Sequence, residues 1–104
     1  MLNQVVLVGR LTRDIKVLKS LESGKSYANL IIAIPRAFKN ENGEYDIDFI
    51  HVQTWESVAQ NTAEYCKKGD IIGVKGRLQQ VGKQQLVVAE RITFLSSRKS
   101  EDNE

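Results

Sequence analysis

A single cysteine, Cys66, leaves this chain of 104 residues without an intrachain disulfide. A lone thiol fits a reducing compartment, and its simplest role is that of a small buried hydrophobe. His51 is the only histidine, so one chain lacks the ligands for a Cys/His zinc site, and no metal is expected. No apolar run approaches the ~20 residues of a membrane helix. Met1-Leu2-Asn3 leads directly into a strand-like run, with no basic region, apolar stretch and cleavage site of a secretory signal. These absences predict a cytoplasmic protein without a membrane partner. Enzyme motifs are missing as well: there is no Gly-rich phosphate loop opening a helix, no G-x-S-x-G and no H-E-x-x-H. Asp46 and Asp48 lie two apart beside a turn, where paired acids are ordinarily a solvated strand edge. Neither a catalytic site nor a cofactor is expected, and function must reside on a surface.

What is present suits one soluble domain, with 41% hydrophobic and 27% charged residues. The net charge is +2; the tail Ser96–Glu104 sets two cations against three carboxylates, which leaves the body, residues 1–95, at +3. That excess permits phosphate contacts. Gln4–Leu11 is β-branched and continuous and reads as a core strand, with Gly9 marking a bend or a close backbone approach. Asp14–Leu21 alternates as if the strand resumed after a kink. Tyr27–Ile34 forms a second strand, which Pro35 ends or places at an edge. Lys39–Glu44 contains Asn-Gly and predicts a turn. Ile47–Trp55 alternates as a third strand.

Glu56–Lys68 changes period. Val58, Ala59, Thr62, Ala63, Tyr65 and Cys66 form a helical stripe, with Ser57 as N-cap, Lys67 and Lys68 in the last turn and Gly69 as the stop. Asp70–Leu78 and Gln84–Leu95 are the fourth and fifth strands around a short hairpin tip at Val81-Gly82-Lys83. The expected fold is therefore all-β with one helix: a five-stranded OB-fold barrel over 1–95, its helix between strands 3 and 4, followed by a short polar, disordered tail at 96–104.

OB barrels bind oligonucleotides and oligosaccharides on the strand 2–3 face. Unpaired nucleic acid asks for cations along the phosphates and exposed rings on which bases stack. The ring candidates are Phe38, Phe49 and Trp55, with Tyr27 and Tyr45 behind them; the basic candidates are Arg10, Arg13, Lys16, Arg36, Lys39, Lys75 and Arg77. Phe38 stands in a polar loop between Arg36 and Lys39. For Trp55 the pattern alone divides evenly between core and surface. Its strand-face neighbours His51 and Gln53 are poor core residues and favour the surface, and Phe49 shares that face. Phe94 and Tyr65 are expected in strand-end core and helix packing.

The opening Met1-Leu2-Asn3-Gln4-Val5-Val6-Leu7-Val8-Gly9-Arg10-Leu11-Thr12-Arg13-Asp14 resembles the start of the bacterial single-stranded DNA-binding protein family. Phe38-Lys39-Asn40, Asp48-Phe49-Ile50, Trp55, Ala59-Gln60-Asn61, Lys67-Lys68-Gly69 and Val74-Lys75-Gly76-Arg77-Leu78 follow that family in order through residue 95. The resemblance implies non-sequence-specific wrapping of single-stranded DNA by a homotetramer, in replication, recombination and repair. It places stacking positions on Phe38, Phe49 and Trp55 and basic positions on Arg10, Lys39 and Arg77. Two departures stand out. The hairpin Gln79–Gln84 is short and lacks the aromatic that the family often carries there. The chain also stops at Ser100–Glu104 without the hydrophobic tip through which the family recruits enzymes, as expected of a fragment or of a short phage, plasmid or accessory form. Recruitment of replication or repair proteins is therefore not carried over. The alternatives are an OB-fold protein-interaction or primosome-like subunit with weak nucleic-acid binding, a dimer in place of a tetramer, and an RNA binder.

Overall fold

The computed structural model describes residues 1–96; residues 97–104, most of the polar tail expected from the sequence, lie outside the described residues. The elements are β1 (Val5–Leu11), β2 (Leu18–Lys19), β3 (Ser26–Lys39), β4 (Tyr45–Trp55), α1 (Glu56–Tyr65), β5 (Ile71–Val81) and β6 (Gln84–Ser96). Their sheet order is β1-β5-β6-β4-β3-β2, and a further β1–β3 pairing closes five long strands into a barrel. The helix joins the third and fourth long strands, as the period change predicts. Asp14–Leu21 departs from expectation: only Leu18 and Lys19 pair, at the edge of β3.

Alternation decides what faces inward. Ala28, Leu30 and Ile32 of β3 and Val52 of β4 point into the barrel, where they meet Leu11, Ile72, Val74 and Val87. Burying each large aliphatic side chain contributes about 1.5–3 kcal/mol. Thr54 is also fully buried, and its hydroxyl donates to Ala28 O at 2.9 Å, so its polar atom is satisfied. Where β1 crosses β3, a side chain at Gly9 would stand 2.9 Å from Ile34 Cγ1 and 3.0 Å from Ala33 O. Only glycine lets the two strands approach so closely. Pro35 does not end β3. The strand runs on to Lys39, and a register shift between Pro35 and Lys39 absorbs the missing donor. The turn that follows is tied by Asn40 Oδ1, which accepts the Asn42 and Glu44 amides at 2.8 and 3.0 Å.

The helix departs from expectation at both ends. Trp55, not Ser57, occupies the N-cap, with no side-chain cap bond, and Cys66 is the C-cap. Lys67 and Lys68 fall outside the helix. They belong to a turn held by Lys67 N–H to Asp70 Oδ2 and Lys68 N–H to Asp14 Oδ1, each 2.8 Å. The buried Asp70 and the exposed Asp14 thus hold the two amides that follow Cys66.

Cys66 is buried, and burial, followed by the charge of Asp70, pushes its thiol up to about 11. At pH 8 only on the order of a thousandth of the folded population carries the reactive thiolate. A maleimide at pH 8 should therefore label Cys66 slowly in the folded chain and rapidly in denaturant. Equal rates would show that the site opens faster than it reacts.

Candidate nucleic-acid interface

Directly paired residues share a face of the sheet. The register Tyr27↔Trp55, Asn29↔Gln53, Ile31↔His51, Ala33↔Phe49 and Pro35↔Ile47 therefore forms a ladder of side chains on the outer wall of the β3–β4 ribbon. Core residues occupy the alternate positions, so the same alternation that builds the barrel turns Phe49 and Trp55 outward. Phe49 is 60% exposed. Trp55 is half-buried: its ring packs against Tyr27 with centroids 5.2 Å apart, and its Nε1 donates to Gln53 Oε1 at 3.0 Å. The two rings are six positions apart along the strand, about 20 Å at ~3.4 Å per residue.

Phe38 is 85% exposed at the far end of β3. Next to it, Lys39 pairs with Tyr45 and lays its ammonium 5.8 Å from the Tyr45 ring centroid. Strand alternation puts Phe38 on the opposite side of the ribbon from Lys39. Tyr45 is itself half exposed and shares the i, i+2 spacing of Ile47 and Phe49, a signal already present in the sequence.

The cations fall into three groups. Arg13 lines a groove of ≈ 270 Å³ with Asn29, His51, Val52, Gln53 and Leu86, which sets it beside the middle of the ladder. Arg10 pairs with Ala33, itself opposite Phe49, so Arg10, Ala33 and Phe49 form one row across β1, β3 and β4. Its Nη1 donates to Gly69 O at 2.6 Å, which fixes the guanidinium.

Arg36 is differently placed. Its guanidinium meets Asp48 through Nη2 to Oδ1 at 3.0 Å and through Nε to both carboxylate oxygens, with Asp46 at 3.9 Å. The hydrogen bond from Arg36 holds the Asp48 carboxyl below its ordinary range, and the same bond raises the Arg36 guanidinium. The acid pair is thus a solvated edge, as expected, and it also occupies a cation.

Lys75 and Arg77 stand on β5, which β6 separates from β4. Lys75 pairs with Arg91, whereas Arg77 reaches Glu90 at 3.5 Å and Gln79 at 3.2 Å. The structure does not bring these two beside the rings of the β3–β4 face. Tyr65 and Phe94 also depart from the sequence reading. Both are exposed and pack on each other between α1 and β6, with centroids 5.9 Å apart. Among the described residues no group of three His, Cys, Asp or Glu is placed to hold a metal ion, and no helix is long and apolar enough to cross a membrane.

Residues 2–99 match the profile of the single-strand binding protein family. The chain is 46% identical over 79 residues to single-stranded DNA-binding protein B of Bacillus subtilis, which covers 76% of this chain and 69% of that one. It is 44% identical over 107 aligned positions to the single-stranded DNA-binding protein of Streptococcus pneumoniae, covering 94% and 68% of the two chains. The crystal structure of wild-type single-stranded DNA binding protein from Thermus aquaticus is similar at TM-score 0.73 and 33% identity, over 91% of this chain and 41% of the Thermus chain.

Proposed function

Because the chain belongs to the single-strand binding protein family, we propose that it binds single-stranded DNA without sequence specificity, in replication, recombination and repair, as a cytoplasmic, nucleoid-associated homotetramer. Bases stack on Phe49 and Trp55 along the ladder, and on Phe38 where the strand passes the end of the β3–β4 ribbon. Phosphates meet Arg10, Arg13 and Lys39, with Lys75 and Arg77 serving DNA that continues around the barrel. The observation that carries this reading is the exposed ladder on β3–β4, with Phe49 and Trp55 along it and Arg13 and Arg10 beside it. Each stacked base contributes about 1–3 kcal/mol whatever its identity, which gives affinity without sequence preference.

Self-association has its own support. Among the described residues β1 pairs with β3 only at Arg10 and Leu11, so the edge from Val5 to Gly9 is open. Val6 and Val8 are exposed along that open edge.

Light scattering with and without dT of ~35 nucleotides, a span of several OB sites of ~4–16 nucleotides each, tests binding and stoichiometry together. The expected result is an oligomer that takes up DNA, with Trp55 fluorescence quenched and affinity falling steeply with salt. A monomer that ignores dT at low salt would overturn the reading.

Arg36 supplies a sharper check. Its pairing with Asp48 removes it from the free cations, so Arg36→Ala should change affinity little. Asp48→Asn should release it, strengthen dT binding several-fold at low salt and steepen the salt slope by about 0.7, the increment of one added phosphate contact on a single strand. Since the Asp48 carboxyl sits below its ordinary range, the pair is intact above that range and is lost only as pH falls through the lowered value. Lowering pH from 7 to 5 should therefore not mimic Asp48→Asn. An Arg36→Ala chain that binds as weakly as one lacking Arg13 would refute the pairing.

A further inference from the structure

The junction of β4 and α1 carries an unfavourable backbone conformation. Glu56 has φ +53°, the only positive φ at a non-glycine among the described residues. Left-handed backbone is unfavourable for a side chain with a Cβ, and such strain concentrates at functional positions. Glycine would remove it at no steric cost, yet a carboxylate stands here, one residue past Trp55.

The turn before β3 comes up to the same place. Ser20 N–H to Lys25 O and Gly24 N–H to Ser20 O, each 2.8 Å, fold residues 20–25 back on themselves. Ser23 and Lys25 from this turn, with Trp55 and Glu56, line a cleft of ≈ 290 Å³. That lies just below the range for whole-ligand pockets, about 300–1,000 Å³, and suits one planar group. Trp55 is held for that task by Tyr27 on its ring and by Gln53 on its Nε1.

We propose that this cleft is a nucleobase subsite that selects for an exocyclic amine. The inference rests on the single-stranded DNA reading and extends it. A base enters against Trp55, the Lys25 ammonium takes its phosphate, and the Glu56 carboxylate accepts a hydrogen bond from the base edge. An ionised carboxylate only accepts. Cytosine and adenine present an amino group to it, and guanine presents two neighbouring donors. Thymine offers one N–H flanked by two carbonyl oxygens that repel the carboxylate. Glutamate accepting from cytosine N4 is a known base contact, and an unpaired strand leaves that edge free. The chain therefore carries one base-selective position within an otherwise indifferent binding face.

Anisotropy titrations of dC and dT oligonucleotides of about 15 nucleotides, at one salt concentration, give the dC-to-dT affinity ratio for the full chain and its variants. Using the change in this ratio cancels differences in stacking between the free oligonucleotides. Glu56→Gln should lower the ratio roughly threefold to tenfold, the size of one net hydrogen bond, because an amide donates as well as accepts. Glu56→Gly should lower it by a similar factor while raising the thermal midpoint, since the backbone strain is relieved. Lys25→Ala should weaken both oligonucleotides alike and keep the ratio. An unchanged ratio in both Glu56 variants would overturn the subsite and leave single-stranded DNA binding intact. Failure of the unaltered chain to bind either oligonucleotide would instead refute the functional reading on which the subsite depends.

Discussion

Phe49→Ala should weaken binding to poly-dT roughly 5- to 150-fold, the factor for one stacked base at about 1–3 kcal/mol. The ring is 60% exposed and lies opposite Ala33, so its removal opens no cavity. Stability should stay within about 0.5 kcal/mol of the unaltered chain. The salt slope should also be unchanged, because no phosphate contact is lost. Arg13→Ala should give the complementary pattern, with a slope shallower by about 0.7 and a loss of affinity that vanishes at high salt. Trp55→Ala is less informative. It also removes the Tyr27 contact and the bond to Gln53, so affinity and folding would fall together. The measurement is a dT titration at several salt concentrations with thermal unfolding alongside. A Phe49→Ala chain of full affinity would leave the ladder without its central stacking surface.

That ladder was legible in the sequence because strand alternation has period two. Once Val52 and Thr54 are inward, Phe49, His51, Gln53 and Trp55 must point the other way. Gly9 was legible for a related reason: a glycine inside a β-branched run has few roles besides close approach. What alternation does not encode is register. Arg36 reads as a free cation next to Phe38, and only the β3–β4 register, with Ile34 opposite Asp48 and Pro35 opposite Ile47, brings it beside Asp48, twelve residues away. Lys75 and Arg77 read as neighbours of the rings because the sequence does not say that β6 lies between β5 and β4. The helix start failed differently. Ser57 has the composition of an N-cap, but β4 runs directly into the helix and Trp55 is the N-cap two residues earlier, followed by a left-handed Glu56.

Gly76→Ala should destabilise the fold by about 3 kcal/mol, although it adds one methyl group. Gly76 is buried opposite Ala89, at the point where the β5–β6 register shifts between Lys75 and Gly76. Lys75 pairs with Arg91 and Gly76 with Ala89, so Glu90 is the extra residue of a bulge. A Cβ on Gly76 would fall inside contact distance of the Val88 carbonyl oxygen, 2.9 Å from its carbon and 3.1 Å from Ala89 Cα. These are backbone atoms of a strand whose Val87, Val88 and Ala89 are all buried, so nothing flexible is available to move aside. The strands must separate, and the bulge that sets Glu90 against Arg77 is lost with them. Gly73→Ala, three residues earlier on β5, is the control. There a Cβ meets Leu95 Cδ1 at 3.6 Å and Thr93 Cβ at 3.7 Å, ordinary contacts. It should be neutral or stabilising by up to about 1 kcal/mol, through the reduced freedom of the unfolded chain. Urea unfolding of the two variants side by side reads the difference as midpoints displaced in opposite directions at similar slope. Equal midpoints would mean that β6 yields at the bulge, and that the barrel tolerates at Gly76 what its register forbids.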